Sequence, residues 1–259
     1  MAMKSVSTIG SRGSHSIMKP LVLLCFVLLL VSAIIHQQAL ADDANLAAKK
    51  TILFAGQLTS DWECRDGAWI ADADGSLTCQ MEEVTQKNGK KRQRGMGYIW
   101  TRSAYSDFIL EFEYKLTTAA NSGVFFRTDP TNPVQGGFEI QLLDDIGVRE
   151  SGVTLDPKKQ NAAFYDCQAP AKKAVARRGA WNHLRLICRG TLIRVELNGE
   201  VVNQFDLQQW GQPGRNPDGS ANKFQDALAE RPDSGRIGFQ NHGKPVSFRN
   251  VTIVDLSQS

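Results

Sequence analysis

The amino-acid sequence predicts an all-β protein, a sandwich or jelly roll of antiparallel sheets, and three observations carry that prediction. From Thr51 onward, short runs that alternate apolar with polar residues are broken by Gly, Asn, Asp and Pro, the period-two pattern of strands and turns. An Asn198-Gly199 pair sits between two such runs, the dipeptide that two-residue hairpin turns favour because both positions take positive φ. Long amphipathic helices are missing from the pattern, and only "ANKFQDALAE", residues 221–230, has helical character.

The clearest strands are "TILFAG", "DFILEFEYKL", "SGVFFRT", "GFEIQLLD", "WNHLRLICRG", "TLIRVELNGEVVNQF", "GRIGFQ" and "VSFRNVTIVDL". Successive side chains on a strand point to opposite faces. In "DFILEFEYKL" this puts Phe108, Leu110, Phe112 and Tyr114 on one side and Glu111 and Glu113 on the other. In "NSGVFFRT", Val124 and Phe126 oppose Phe125 and Arg127, and in "GGFEIQLLDD", residues 136–145, Phe138, Ile140 and Leu142 oppose Glu139 and Gln141. Near the end, Gln240 and His242 fall where a strand gives way to a glycine turn. Three connections are long, 84–97, 145–179 and 208–234; the first carries Lys87, Lys90, Lys91, Arg92 and Arg94 and reads as a solvated hairpin tip.

The N-terminus reads as a secretory signal peptide, residues 1–41. Lys4, Arg12 and Lys19 precede an apolar run from Leu21 to Ile35, and Ala39-Leu40-Ala41 has the small-x-small spacing of a cleavage site. That run is shorter than the ~20 residues a membrane-spanning helix needs, so no stable membrane insertion is expected after cleavage, and the product is secreted or periplasmic. Cleavage before Asp42 leaves 27 basic and 27 acidic side chains. The near-neutral balance gives a nucleic-acid partner no electrostatic support. Residues 42–259 suit one domain with a substantial core. Cys64, Cys79, Cys167 and Cys188 form an even set in an exported chain, which suggests two disulfides, Cys64 with Cys79 and Cys167 with Cys188 being one of three pairings. No C-x-x-C pair with a nearby His supports zinc. Asn250-Val251-Thr252 fits a glycosylation sequon.

Arg127, Glu139, Gln141, Gln240 and His242 would converge on one concave sheet if their strands are neighbours. A solvated outer face also alternates polar with apolar residues. Arg, Glu, Gln and His, however, are side chains that hydrogen-bond vicinal hydroxyls, and the Thr or Val of an idle outer face is scarce among them.

Five segments, "LFAGQLTSDWE", "NSGVFFRT", "GFEIQLLDD", "WNHLRLICRGTLIRVELNGEVV" and "GRIGFQNHGKPVSFRNVTIVDL", resemble in order and style the 3-keto-disaccharide hydrolases, also described as 3-keto-glucoside 1,2-lyase/hydratase domains. The resemblance covers residues 50–256, and the Gly-Phe-Gln-Asn-His-Gly ending followed by Phe-Arg-Asn is its most specific part. It implies a concanavalin A-like jelly roll acting on a saccharide oxidised at C3, with a glycoside 3-oxidoreductase upstream as a partner. The cysteines and the long basic loop depart from the pattern.

A ketone at C3 acidifies the C2 hydrogen, so a base can remove it, the C1 substituent can leave by elimination, and water can add back. This chemistry needs a base with a near-neutral pKa, a cation or donor set for the enolate oxygen, and a donor for the leaving oxygen. His242 or Glu139 is assigned as base, Arg127 as electrostatic stabiliser, Asp144 as acid or metal ligand, and Gln141, Gln240 and Glu113 as substrate contacts. A divalent metal held by Glu139 and Asp144 would serve the enolate too.

Two rivals are kept open. An ordinary glycosidase would pair Glu139 with Glu113 or Asp144, at ~5 to 5.5 Å for retention or ~6.5 to 9.5 Å for inversion. A carbohydrate-binding module would offer exposed aromatic platforms, for which Trp62, Trp69, Trp100, Trp181 and Trp210 are available, although Trp181 at a strand entrance reads as core.

Overall fold

The computed structural model describes residues 49–172 and 174–257. The expected signal peptide lies outside the described residues. The elements, in chain order, are β1 (Thr51–Phe54), β2 (Trp62–Glu63), β3 (Trp69–Ala71), β4 (Leu77–Cys79), β5 (Met81–Thr85), β6 (Lys91–Gly95), β7 (Ile99–Tyr105) and β8 (Phe108–Leu116). They continue with β9 (Asn121–Thr128), β10 (Phe138–Leu143), a short helix α1 (Asp145–Glu150), β11 (Asn182–Arg189), β12 (Leu192–Leu197), β13 (Glu200–Asp206), β14 (Gly235–Phe239) and β15 (Val246–Asp255).

Two antiparallel sheets face each other, as the alternating sequence requires. Among the described residues an eight-stranded sheet runs β13-β12-β11-β8-β15-β4-β3, with β1 also on β15, and a five-stranded sheet runs β10-β9-β14-β7-β2. β5 and β6 form a separate two-stranded arm. Phe239 of the smaller sheet stacks on Phe248 of the larger one at 4.1 Å between ring centroids, and Phe112 of β8 meets Phe239 edge-on at 5.1 Å. All three are fully buried, and each contributes about 2 to 3 kcal/mol of transfer free energy. The apolar faces expected for β8, β9 and β10 are buried, from Phe108 to Tyr114, Val124 with Phe126, and Phe138 to Leu142, and in β9 and β10 the opposite face is buried as well. Asn198 (φ 52°) and Gly199 (φ 86°) make the expected tight turn between β12 and β13.

Four sequence expectations are corrected. Residues 221–230 do not form an α-helix, and only one turn of 3-10 helix occurs there, at Leu228–Glu230; Phe224, Ala227 and Leu228 instead anchor an irregular loop by burial. The basic stretch 84–97 is not one long connection, since much of it lies in the strands of the β5–β6 pair, while its reading as a hairpin holds. Trp181 is not core: half-buried, it is flanked by Lys115 and Arg249, whose cationic groups lie 4.6 and 4.2 Å from its ring centroid.

The fourth correction concerns the cysteines. All four described cysteines are free thiols. Cys79 is engaged by the β15 entrance, its sulfur donating to the Lys244 carbonyl at 3.5 Å and accepting from the Val246 N–H at 3.3 Å. Cys188 is fully buried near the end of β11, opposite Phe108 and Ile193. Burial pushes the Cys79 thiol up to about 11 and raises Cys167 and Cys188 further.

Candidate active site

The outer face of the five-stranded sheet carries the chemistry. Register puts Glu139 opposite Phe125 and Gln141 opposite Gly123, while Gly238 of β14 lies between Phe125 and Trp100. Two glycines leave room for side chains of the next strand. A Cβ at Gly238 would strike the Trp100 ring, and one at Gly123 would strike the Glu139 carboxylate. The bare backbone thus lets an indole and a carboxylate lie flat across neighbouring strands. Tyr98, Trp100 and Phe125 form an aromatic floor, with Tyr98 stacked on Phe125 at 5.5 Å and Trp100 at 5.7 Å from Phe125.

Glu139 stands beside this floor and is only 7% exposed. Gln240, positioned by its N–H on the Gly123 carbonyl at 2.9 Å, donates from Nε2 to Glu139 Oε1 at 3.3 Å. Burial raises the Glu139 pKa to about 7, and the charge of Lys223 partly opposes that rise. A single long hydrogen bond and one cation do not restore the hydration the carboxylate has lost. Along the strands from it, the side-chain oxygens Gln141 Oε1 and, opposite Leu143, Asn121 Oδ1 are buried with no donor. By strand alternation both belong to the same face as Glu139. Buried acceptors without donors are rare in folded proteins, and here they are concentrated where a hydroxylated ligand would supply donors.

The connections 145–179 and 208–234 build a wall beside β10. Residues 162–165 extend the sheet past its edge: Ala162 donates to the Gln141 carbonyl at 2.7 Å, Gln141 to that of Ala163 at 3.0 Å, and Tyr165 to that of Glu139 at 3.0 Å. This covers an edge that would otherwise offer unpaired backbone groups. Beneath it, Phe164 stacks on Phe205 at 4.3 Å and meets Trp210 edge-on at 5.2 Å. Lys223 arrives from the second connection, its Nζ 4.0 Å from the Tyr165 ring centroid. The residue as a whole is exposed, but partial burial of its head lowers its pKa, with Glu139 and Asp166 opposing.

The sequence profile of the family described as the 3-keto-alpha-glucoside-1,2-lyase-like domain matches residues 49–254. The chain belongs to this family. Membership accounts for the long extent of the resemblance in the sequence, which runs from β1 to the end of β15. A curated "3-keto-disaccharide hydrolase" of Bacteroides thetaiotaomicron is 26% identical over 170 residues, covering 58% of this chain and 58% of that protein. The chain thus spans somewhat over half the length of that relative. Among solved structures, a Parabacteroides distasonis protein provisionally named a glycosyl hydrolase superposes with a TM-score of 0.69 at 30% identity, covering 80% of this chain and 100% of its own. A second protein of that organism, 23% identical with a TM-score of 0.62 over 81% of this chain and 95% of its own, shares the fold.

Not every residue expected at the family's site stands there. Glu139, Gln141 and Gln240 are together, as the register shows. Arg127 is not with them. A bulge in β9, where Arg127 takes φ 48°, turns its side chain back so that Nε donates to the Ser106 carbonyl at 2.8 Å and Nη2 to Asp107 at 3.1 Å. Bulges re-aim side chains in this way, and simple alternation fails across them. Glu113 lies on the outer face of the other sheet, held by Arg249 at 2.9 and 3.0 Å and by Asn250, the sequon residue, at 2.6 Å. Asp144 caps the end of β10 and is committed to Arg178 Nε at 2.9 Å and the Ala119 N–H at 2.8 Å. No group of three or more His, Cys, Asp or Glu side chains that could hold a metal occurs among the described residues. His242 is exposed in the turn after β14. Lys223, Tyr165, Tyr98 and Asn121 were missed. Asn121 alone could have been found, by extending the alternation of β9 two residues back from Gly123.

A polar cavity of about 490 Å³ lies elsewhere, lined by residues such as Gln208, Gln212 and Arg215. It shares no residue with the Glu139 face and holds no carboxylate in its lining.

Proposed function

We propose that this protein cleaves glycosidic bonds of 3-keto glycosides, with Glu139 as the base that removes the C2 proton. The observation that carries this reading is a buried carboxyl poised near neutrality on a sheet face that also carries the unsatisfied acceptors Gln141 Oε1 and Asn121 Oδ1. A base must be deprotonated at working pH yet strong enough to take a carbon-bound proton, and a pKa near 7 suits both.

In this reading the sugar lies on the Tyr98, Trp100 and Phe125 floor and its hydroxyls donate to Gln141 and Asn121. Glu139 takes the C2 hydrogen as a proton, and the C–H electron pair forms the enolate with charge on the C3 oxygen. That pair then makes the C1–C2 double bond as the C1–O bond breaks, and the leaving oxygen takes up the proton from Glu139. Water then adds its oxygen to C1 and gives one proton to C2 through Glu139, so the net result is hydrolysis. The C3 ketone has to be supplied by an oxidation of the glycoside elsewhere. With the expected leader, residues 1–41, the proposal includes a secreted or periplasmic setting for the reaction.

An ordinary glycosidase fits less well. Lys223 is the charged group whose field reaches Glu139, and no second carboxylate does so among the described residues. Paired-carboxylate hydrolysis needs such a partner. A non-catalytic binding module also fits less well, because saccharide binding alone gains nothing from a desolvated carboxyl.

The test is to give the protein from residue 42 onward 3-keto-trehalose and unoxidised trehalose, with and without a chelator, and to follow released glucose. Release from the keto sugar alone is expected. Release from both would move the reading to an ordinary glycosidase, and binding without release to a carbohydrate-binding module.

A further inference from the structure

The fixed backbone and free head of Lys223 stand out among the cations around the site. Its N–H donates to Asp166 Oδ2 at 2.8 Å and its carbonyl accepts from Gln135 Nε2 at 3.1 Å, so both sides of the residue are clamped. The next residue, Phe224, is buried and its N–H is held by Asn222 at 3.0 Å. The ammonium itself has neither an ion pair nor a hydrogen-bond acceptor among the described residues; it lies over the Tyr165 ring at 4.0 Å and, farther off, the Phe224 ring at 5.5 Å. Neighbouring cations are spent. Lys158 is paired with Asp218 at 2.7 Å, Lys159 with Asp166 at 3.4 Å and Arg178 with Asp144 at 2.9 Å.

We propose that Lys223 is a catalytic residue, whose ammonium donates to the C3 oxygen of the substrate while Glu139 removes the C2 proton. This rests on the function proposed above and adds the group that receives the enolate charge, a role the sequence had assigned to Arg127. The face then presents acceptors without donors, Gln141 Oε1 and Asn121 Oδ1, and donors without an acceptor, Lys223 Nζ. A polyol bearing one carbonyl oxygen satisfies both sets. Charge balances through the step: Glu139 becomes neutral as it gains the proton, the C3 oxygen becomes negative, and the unchanged ammonium of Lys223 pairs with it. Fixed donors aimed at a developing oxyanion are worth most where water is excluded. Partial burial is the largest influence on the charge state of Lys223 and opposes the ammonium, as Lys159 does, while Glu139, Asp166 and Cys167 favour it.

The experiment compares wild type, Lys223→Met, Lys223→Arg and Lys223→Ala on a 3-keto glucoside, reading kcat, KM and exchange of the C2 hydrogen with deuterated solvent. Lys223→Met should lower kcat and C2 exchange together by about 100-fold, the typical loss of one oxyanion donor, with KM within about threefold and an unchanged melting temperature. Lys223→Arg should retain part of the rate, and small alkylammonium ions should restore part of that lost in Lys223→Ala. Wild-type kcat in Lys223→Met, a change in KM alone, or a loss that the amine does not restore would overturn the assignment and leave the Glu139 reading standing. A wild-type protein that neither cleaves the keto sugar nor exchanges its C2 hydrogen would overturn both.

Discussion

The Glu139 carboxylate lies across the bare backbone of Gly123, which belongs to the neighbouring strand and would collide with it through a single added methyl group. That relationship ties the position of the proposed base to a residue with no side chain. In Gly123→Ala the flexible end of Glu139 must move, since the methyl group and Oε1 claim the same space. The expected outcome is a loss of kcat of about 10- to 100-fold with the fold retained. Steady-state kinetics beside a circular-dichroism melt would check it, and a fully active Gly123→Ala would show that the carboxylate position is not limiting.

Glu139 should cost stability at alkaline pH. Its folded pKa, about 7, lies above the ordinary 4.5 because of burial, so between those values the folded state holds more protons than the unfolded one. Stability contributed by the neutral carboxyl is therefore complete below about pH 4.5 and is lost as pH rises through 7. The upper limit is about 3 kcal/mol. Glu139→Gln should melt higher than wild type at pH 8 and nearly equally at pH 4.5, while abolishing turnover. Asp145, raised to about 6 mainly by burial, adds a slope of the same sign between about 4 and 6 in both proteins. Equal melting temperatures at pH 8 would contradict the buried, ionised carboxylate.

Turnover should follow the same titration from the other side. Rate should rise with pH through about 7 as Glu139 loses its proton, with Lys223, Tyr98 and Tyr165 the titratable neighbours that share its field. A kcat/KM profile flat from pH 5 to 8 would remove Glu139 as the base.

Arg127 should matter for folding rather than chemistry. It is 2% exposed and spends its donors on Ser106 and Asp107. Arg127→Met is expected to destabilise by about 2 kcal/mol, the range for hydrogen bonds to a charged group, with kcat of the folded enzyme within about threefold of wild type. Denaturant melts and kinetics at low temperature separate the two effects.

The thiols offer a direct chemical check. With Cys64, Cys79, Cys167 and Cys188 all free, a reductant should leave the melting temperature unchanged. A thiol reagent should find four groups per chain from residue 42 onward in denaturant, with half-buried Cys64 reacting first in the native protein. A reductant-sensitive melt would show that disulfides form after all.

The alternating stretches were legible because a strand has only two faces. Phe138, Ile140 and Leu142 could not reach the core without sending Glu139 and Gln141 the other way. The same reasoning failed at Arg127, where a positive φ breaks the alternation. It could not find Lys223 or Tyr165, which lie in irregular connections that carry no period.

The sequence by itself determined the all-β class, the Asn198-Gly199 turn, the buried faces and the family, since each rests on local order or on residues in a fixed succession. Tertiary structure alone decided which polar residues meet. Glu113 and Glu139 both occupy the polar face of an alternating strand, yet one is held at the surface by Arg249 and the other is buried within reach of the Lys223 charge. The pairing of strands far apart in the chain, and the loop segment 162–165 paired along the edge of β10, set the burial of each carboxylate and hence its proton affinity.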